Sequence, residues 1–287
     1  MLRSKFVSAA PQFATATYGL AAVFAWGTSD FLGGYFTRRI NVFLFTAVFN
    51  LGGLILMATL AGASHATIPS EHAVIWALAA GVTGSVAVAI FFRALSTGRM
   101  GLTAPVAAVL SAAIPALFSV FTEGPPKIIS LAGFAFGAVG LWLITRTEAG
   151  ASPQGIGLAV LAGIGFAGFY LCIRQAGAGS PLWLATLTRA GGLMITALIV
   201  LLQGSFRGIT ASGARWAVLA GCIDSLGTML FVLASQSGRL DEAVVISSLY
   251  PAVTVLLARI VLKEHLTRWR LIGLLAALAA VPMIAAG

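Results

Sequence analysis

Three ionisable side chains of this 287-residue chain, Asp30, Arg189 and Asp224, stand inside otherwise apolar runs. A charge at the centre of a membrane helix costs at least roughly 2.5–3.5 kcal/mol, so each requires a purpose. Asp30 lies five or six residues from the end of its run, about 8–9 Å inside at the helical rise. An aspartate is too short to reach the interface from there. It is either a cavity carboxylate that takes a substrate ammonium or carries a proton, or it pairs with Arg38 where a helix ends early near Gly33 and Gly34. Asp224 occupies the middle of a later run and is followed by Ser225. Arg189, eight positions after Pro181, could pair with Asp224 on a neighbouring helix or receive a substrate carboxylate.

Uncharged polar groups gather at prolines. Pro105, Pro115 and Pro251 each remove one helical hydrogen bond and free the carbonyl four residues earlier, at Gly101, Ser111 and Ser247. In lipid such a carbonyl is satisfied by protein or by water in a cavity. Ser247, Ser248 and Tyr250 flank the last of these sites, which reads either as a polar patch suited to an amino-acid backbone or as a packing kink. Trp26, Phe91, Phe92, Phe166, Tyr170, Trp183 and Phe231 could line a pocket for large side chains, with Trp26 and Tyr170 expected at matching depth.

Other chemistries have little to stand on. The two cysteines, Cys172 and Cys222, lie in apolar runs, and His65, His72 and His265 lie in polar connections without metal-ligand spacing. No phosphate-binding G-x-x-x-x-G-K-[ST] occurs, because none of Lys5, Lys127 and Lys263 follows a glycine. An intramembrane enzyme would need paired carboxylates, H-E-x-x-H or a Ser/His constellation, and none is present. The expectation is no catalytic residue, no metal and no cofactor.

The elements that must position these residues follow from composition. Hydrophobic residues make up 59 % of the chain and charged residues 9 %, and the mean hydropathy is +1.01. Soluble domains carry about 25 % charged residues, so this composition describes a multi-pass membrane protein whose main partner is the lipid bilayer. The net charge of +9 sits between apolar runs, where it orients helices rather than binding nucleic acid. Ten runs are long enough to span: 17–36, 42–60, 74–94, 102–121, 128–145, 155–173, 182–202, 216–234, 243–262 and 269–286. Residues 1–16 carry Arg3 and Lys5 ahead of an apolar run, as a signal peptide does. The repeat described next instead keeps 17–36 as the first helix.

Residues 81–99 (GVTGSVAVAIFFRALSTGR) and 221–239 (GCIDSLGTMLFVLASQSGR) share six of nineteen positions at an offset of 140. Gly81 matches Gly221, Ser85 matches Ser225, and Phe91 matches Phe231, while Gly84 is replaced by Asp224. The same offset sets Trp26 opposite Phe166. The offset is close to half the chain, so it implies duplication, with repeats at 1–147 and 148–287. Five helices per repeat is odd, so the second must enter the membrane from the opposite side, the inverted arrangement of secondary transporters with a midplane cavity. Small residues at Gly133 and Gly137, at Ala159, Gly163 and Ala167, and at Gly273 and Ala277 form packing seams.

Particular residues also carry a resemblance. Trp26-Gly27-Thr28-Ser29-Asp30-Phe31 resembles the Trp-Gly signature of the first helix in the drug/metabolite transporter superfamily. Residues 251–264 (PAVTVLLARIVLKE), followed by Ile272-Gly273, are similar to that superfamily's penultimate helix and the opening of its last one. The first half repeats this loosely from Pro115 through Glu123 to Gly133. With ten runs as five plus five, the resemblance covers the whole chain and points to the EamA branch. It implies a bacterial inner-membrane exporter of amino acids, aromatic and neutral ones included, or of similar metabolites, working by alternating access. Protons are one option for coupling, and a carrier without coupling is equally allowed. A multidrug or cation exporter of the same superfamily is the alternative, with the embedded acids holding the cation.

Two features depart from the family pattern. Asp30 stands where relatives carry an uncharged polar residue, and the connection from Lys263 to Arg270 is unusually basic. Counting Lys and Arg gives five on the side of the N-terminus and eleven on the other, which sets both termini away from the cytoplasm. The resemblance implies the reverse, so orientation stays open. The substrate-binding set expected from all this is Trp26, Asp30, Ser85, Phe91, Tyr170, Arg189, Asp224, Ser225, Ser248 and Tyr250.

Overall fold

The computed structural model describes residues 2–97, 100–125, 127–145, 153–204, 208–262 and 268–285. They form helices joined by short connections: α1 (Leu2–Phe36), α2 (Val42–Ala63), α3 (Glu71–Thr97), α4 (Met100–Glu123), α5 (Ile128–Thr145), α6 (Pro153–Ala176), α7 (Pro181–Gln203), α8 (Ala211–Ser237), α9 (Leu240–Ser247), α10 (Tyr250–Leu262) and α11 (Arg268–Ala285). Several starts carry their own signals. The Asn41 side chain accepts from the backbone N–H groups of Phe43 and Leu44, Thr210 caps α8 through Gly213, and Pro181 opens α7.

One expectation changes, and one of the two readings of Asp30 is closed. Residues 243–262 form two helices rather than one: α9 ends at Ser247, Ser248 and Leu249 turn, and α10 begins at Tyr250. Pro251 cannot donate to the Ser247 carbonyl. The chain therefore tightens through Leu249 N–H to the Ile246 carbonyl (3.1 Å) and Ala252 N–H to the Leu249 carbonyl (2.9 Å). Helix α4 runs unbroken through Pro105 and Pro115. Helix α1 continues past Gly33 and Gly34 to Phe36, where the run 17–36 was expected to end. The early helix end that would seat Asp30 beside Arg38 at the interface does not occur. Gly33 instead lies against the Phe92 ring, leaving no room for a Cβ.

Six stretches among the described residues are long and apolar enough to cross a membrane: Val42–Ala63, Glu71–Ser96, Gly157–Ala176, Pro181–Gln203, Ala211–Ser237 and Leu240–Val261. The exterior agrees, since large apolar side chains such as Phe24, Ile55, Leu161, Met194 and Ile260 are exposed.

The dominant pairings are α1 with α8, α3 with α6, α2 with α7 and α8, α3 with α7, α4 with α6, α1 with α9 and α10, and α5 with α11. This set maps onto itself when α1–α5 are exchanged with α6–α11, counting α9 and α10 as one unit.

Backbone contact explains the doubled glycines. A Cβ on Gly81 would run into the Thr188 carbonyl of α7, and one on Gly221 into the Phe49 carbonyl of α2. The matched serines sit at the same crossings. The Ser85 hydroxyl fills the space a Cβ on Gly192 would need, and the Ser225 hydroxyl does so at Gly53. Hydrogen bonds add to these seams: Ser29 donates to the Ala220 carbonyl at 3.0 Å and Thr254 to the Gly27 carbonyl at 3.0 Å. Of the seams read from sequence, Gly163 packs against Ala107 and Leu110 of α4, and Gly137 faces Ala280. The Ala277 side chain lies outside the described residues, as do Gly98, Arg99, Lys263 and Glu264.

Candidate functional site

A cavity opens where α1, α3, α6, α7, α8 and α10 meet. It measures about 50 Å³ over the positions that the centre of a water molecule can take, well above the roughly 10–15 Å³ one water needs. Helix α1 contributes Trp26 and Asp30, one turn apart and so on one face. Ala80, Gly81, Gly84, Ser85 and Val88 come from α3. Helix α6 brings Phe166, Phe169 and Tyr170, and α7 brings Thr188 and Arg189. Asp224 and Thr228, again one turn apart, come from α8, and Tyr250 opens α10.

Arg189 is the polar centre. Its Nη2 lies 2.7 Å from Asp224 Oδ2 and donates to the Thr228 hydroxyl at 2.7 Å. Its Nη1 reaches Asn50 Oδ1 at 3.4 Å, and its guanidinium stacks over the Phe49 ring, 5.6 Å from the centroid. Asn50 Oδ1 also accepts from the Ser85 hydroxyl at 3.2 Å, so one amide ties α2, α3 and α7 together. Of the two readings of Arg189, the ion pair is therefore the one formed.

Asp30 differs. It is 6 % exposed, lines the same cavity, and has no hydrogen bond or ion pair among the described residues. Asp224, Tyr170 and Tyr250 all lie near enough to interact with it electrostatically. The buried Tyr250 hydroxyl has no partner among the described residues, nor do the Ser247 hydroxyl, Asn50 Nδ2 and Arg189 Nε. Of these, Tyr250 and Arg189 line the cavity, so their open polar atoms are available to an occupant.

Aromatic rings form the rest of the wall. Trp26 contacts Tyr170, Phe231 and Phe169, with centroids 6.1, 5.5 and 6.2 Å apart. Phe91 packs between Phe166 at 5.7 Å and Tyr250 at 6.3 Å. Trp26 with Phe231 and Phe166 with Phe91 are equivalent pairs at the 140-residue offset. The two aromatic clusters thus repeat one contact. The polar positions do not repeat, since at that offset Asp30 matches Tyr170, Asp224 matches Gly84, and Arg189 matches Phe49.

Of the ten residues expected to bind substrate, Trp26, Asp30, Ser85, Tyr170, Arg189, Asp224 and Tyr250 line the cavity. Phe91 backs it at 1 % exposure. Ser225 turns its hydroxyl to the Gly221 carbonyl at 2.7 Å in the α2–α8 seam. Ser248 donates to the Val244 carbonyl at 2.7 Å and sits behind the wall beside Tyr170. Phe92 packs with Phe45 and Phe49 away from the cavity, and Trp183 donates to the Ala66 carbonyl in a connection. The sequence reading passed over Asn50, Phe169, Thr188 and Thr228. Two carried a signal: Asn50 is a lone amide within the apolar run 42–60, and Thr228 is one turn from Asp224.

Comparison with known proteins agrees with this architecture. No curated protein sequence matches the chain. Among the solved structures, 28 chains are similar. One crystal structure superposes with a TM-score of 0.79 at 17 % identity, covering 94 % of this chain and 97 % of the other, a likeness of fold. The EamA-like transporter family model matches twice, at residues 14–146 and 153–286. Those two segments take in nearly the whole chain and every helix that borders the cavity, and the protein belongs to the EamA-like transporter family.

Proposed function

We propose that this protein is a secondary transporter that exports small amine-bearing metabolites, amino acids and their close relatives, across a bacterial cytoplasmic membrane by alternating access. Ten membrane spans form two inverted repeats, 1–147 and 148–287, that rock about the central cavity. The observation that carries the reading is the cavity itself: a carboxylate without a partner among the described residues, Asp30, faces aromatic rings contributed by helices of both halves. An ammonium beside an apolar body fits that pairing of groups. The self-mapping helix pairs and the doubled family match support two repeats, and five helices in each supports inversion.

The absence of a described partner for Asp30 also favours a second reading, an exporter of organic cations. Purified protein in liposomes, supplied with labelled amino acids and with cationic dyes, separates the two. Amino-acid movement supports the first, and dye movement alone overturns it. Repeating the assay with and without a pH gradient tests proton coupling.

A further inference from the structure

Away from the cavity, charged groups gather where α8 turns into α9. Arg239 Nε donates to Asp241 Oδ1 at 3.0 Å, and Nη2 donates to Asp241 Oδ2 at 3.1 Å and to the Gly124 carbonyl at 2.8 Å. One guanidinium thus joins the start of α9, in the family-matched segment 153–286, to the connection after α4, in the segment 14–146. The same corner meets α1. The Thr15 hydroxyl donates to the Ala234 carbonyl at 3.4 Å, and a Cβ on Gly238 would run into that hydroxyl.

Helix α9 lies between this corner and the cavity. Its eight residues are all buried and span about 12 Å, packed against α1, α4 and α8. The turn at Ser248 and Leu249 joins it to Tyr250, which lines the cavity. Because Pro251 cannot donate across that turn, α9 meets the cavity wall through a joint rather than a continuous helix.

We infer that Arg239 is a latch: its clasp on Asp241 and on the Gly124 carbonyl pins α9 as the stopper between the cavity and this end, and the cavity opens to this end when the clasp is released. The inference rests on the transporter reading and adds how one end of the transport site is held shut.

Two features suit this contact to breaking and remaking. The Arg239 side chain is 28 % exposed, so its guanidinium can exchange protein acceptors for water, which the enclosed Arg189–Asp224 pair cannot. The enclosed Asp241 is not stranded by the exchange. It also accepts from the Glu242 backbone N–H at 3.0 Å and lies in the first turn of α9, where the helix dipole favours a carboxylate. The pattern is also confined to one copy. At the 140-residue offset Arg239 matches Arg99, but Asp241 and Glu242 match Gly101 and Leu102. A contact belonging to the shared scaffold would recur in both copies, as the glycine crossings do.

The test uses the full-length protein with Cys172→Ser and Cys222→Ser and one reporter in the cavity wall, Thr188→Cys. Sealed membrane vesicles of both orientations are treated with a membrane-impermeant methanethiosulfonate. Labelling of Ser64→Cys in a parallel sample identifies the vesicles whose Arg239 end faces the reagent, since Trp183 and Gln236 tie the 64–70 and 177–180 connections to that end of α8. Arg239→Gln should raise the reporter's labelling rate from the Arg239 end at least about tenfold, as the loss of a charged hydrogen bond does. From the other end the rate should stay the same or fall. Asp241→Asn should act in the same direction, and Arg239→Lys, which keeps the charge and loses the fork, should fall between Arg239→Gln and the parent.

No gain from the Arg239 end overturns the inference. So does an equal gain from both ends, which is what general loosening of the bundle produces. If Arg239→Gln does not fold, Arg239→Lys and Asp241→Asn carry the same two-ended comparison. The liposome assay with amino acids and dyes is read separately. Transport by the parent with labelling unchanged in the variants removes the latch and leaves the transporter reading standing. A one-ended gain in labelling with no solute moved by the parent supports the latch and overturns the reading of the cavity as a transport site.

Discussion

Arg189 and Asp224 meet at 2.7 Å across α7 and α8, both buried, with Thr228 and Asn50 taking further guanidinium hydrogens. The pair ties two helices together and leaves Asp30 as the uncompensated charge among the described residues that line the cavity. Removing one member strands the other. Asp224→Asn or Arg189→Gln should each destabilise by about 3–5 kcal/mol, and the double variant Arg189→Met/Asp224→Asn should recover much of that loss. Thermal unfolding in detergent measures it. Full transport by Asp224→Asn at normal expression would assign the pair to scaffold.

The α2–α8 and α3–α7 crossings permit a sharper test of packing. Gly221→Ala must displace the Phe49 backbone and Gly81→Ala the Thr188 backbone, whereas a Cβ on Gly62 meets nothing within 4 Å. The first two should lose about 1–3 kcal/mol or fail to assemble, and Gly62→Ala should be near neutral. Equal midpoints for all three would contradict the close approach.

Trp26 touches three rings and shares a helix face with Asp30. Trp26→Ala should cost about 3–5 kcal/mol, as large aromatic truncations do, and Trp26→Phe much less. In counterflow assays Trp26→Phe should raise KM for phenyl-bearing substrates more than for small amines. An unchanged ratio would move Trp26 from the binding wall to the scaffold.

The connections also predict which residues share a membrane face. Trp183 donates to the Ala66 carbonyl at 2.9 Å, a ring nitrogen of His72 sits 3.0 Å from the Gln175 carbonyl, and Arg239 donates to the Gly124 carbonyl at 2.8 Å. With Gln236 donating to the Gly177 and Gly179 carbonyls, these contacts gather the 64–70 and 177–180 connections, Gly124 and Arg239 at one end. With Cys172 and Cys222 replaced by serine, single cysteines at Ser64 and Ala178 should label from the same side, and one at Thr210 from the other. A cysteine after Met283 should label with the first pair. Reading which side is cytoplasmic resolves the conflict between the basic-residue count and the family pattern.

What the chain's own letters determined are properties that a short window carries. Hydropathy over about 20 residues marks a membrane helix wherever it packs, so the six stretches long and apolar enough to span among the described residues were legible. Matched residues at a constant offset pointed to two similar halves, in keeping with the family model that matches twice, and a buried charge is conspicuous in any apolar run. The split at Ser248 and Leu249 was half legible. Pro251 announces a lost hydrogen bond, yet α4 absorbs two prolines without a break, because the outcome depends on what surrounds the freed carbonyl.

Tertiary structure alone decided the partners. Whether Arg189 meets Asp224, whether Asp30 meets Arg38 or a cavity, and whether Ser225 faces substrate or Gly53 depend on which helices are adjacent and how each is rotated. Those rotations are set by sums of weak contacts between residues far apart in sequence, including glycine crossings of α2 with α8 and α3 with α7, and no local pattern encodes such a sum. The two copies share their seams and aromatic pairs, and the fold alone brings the unshared Asp30, Arg189 and Asp224 to one cavity.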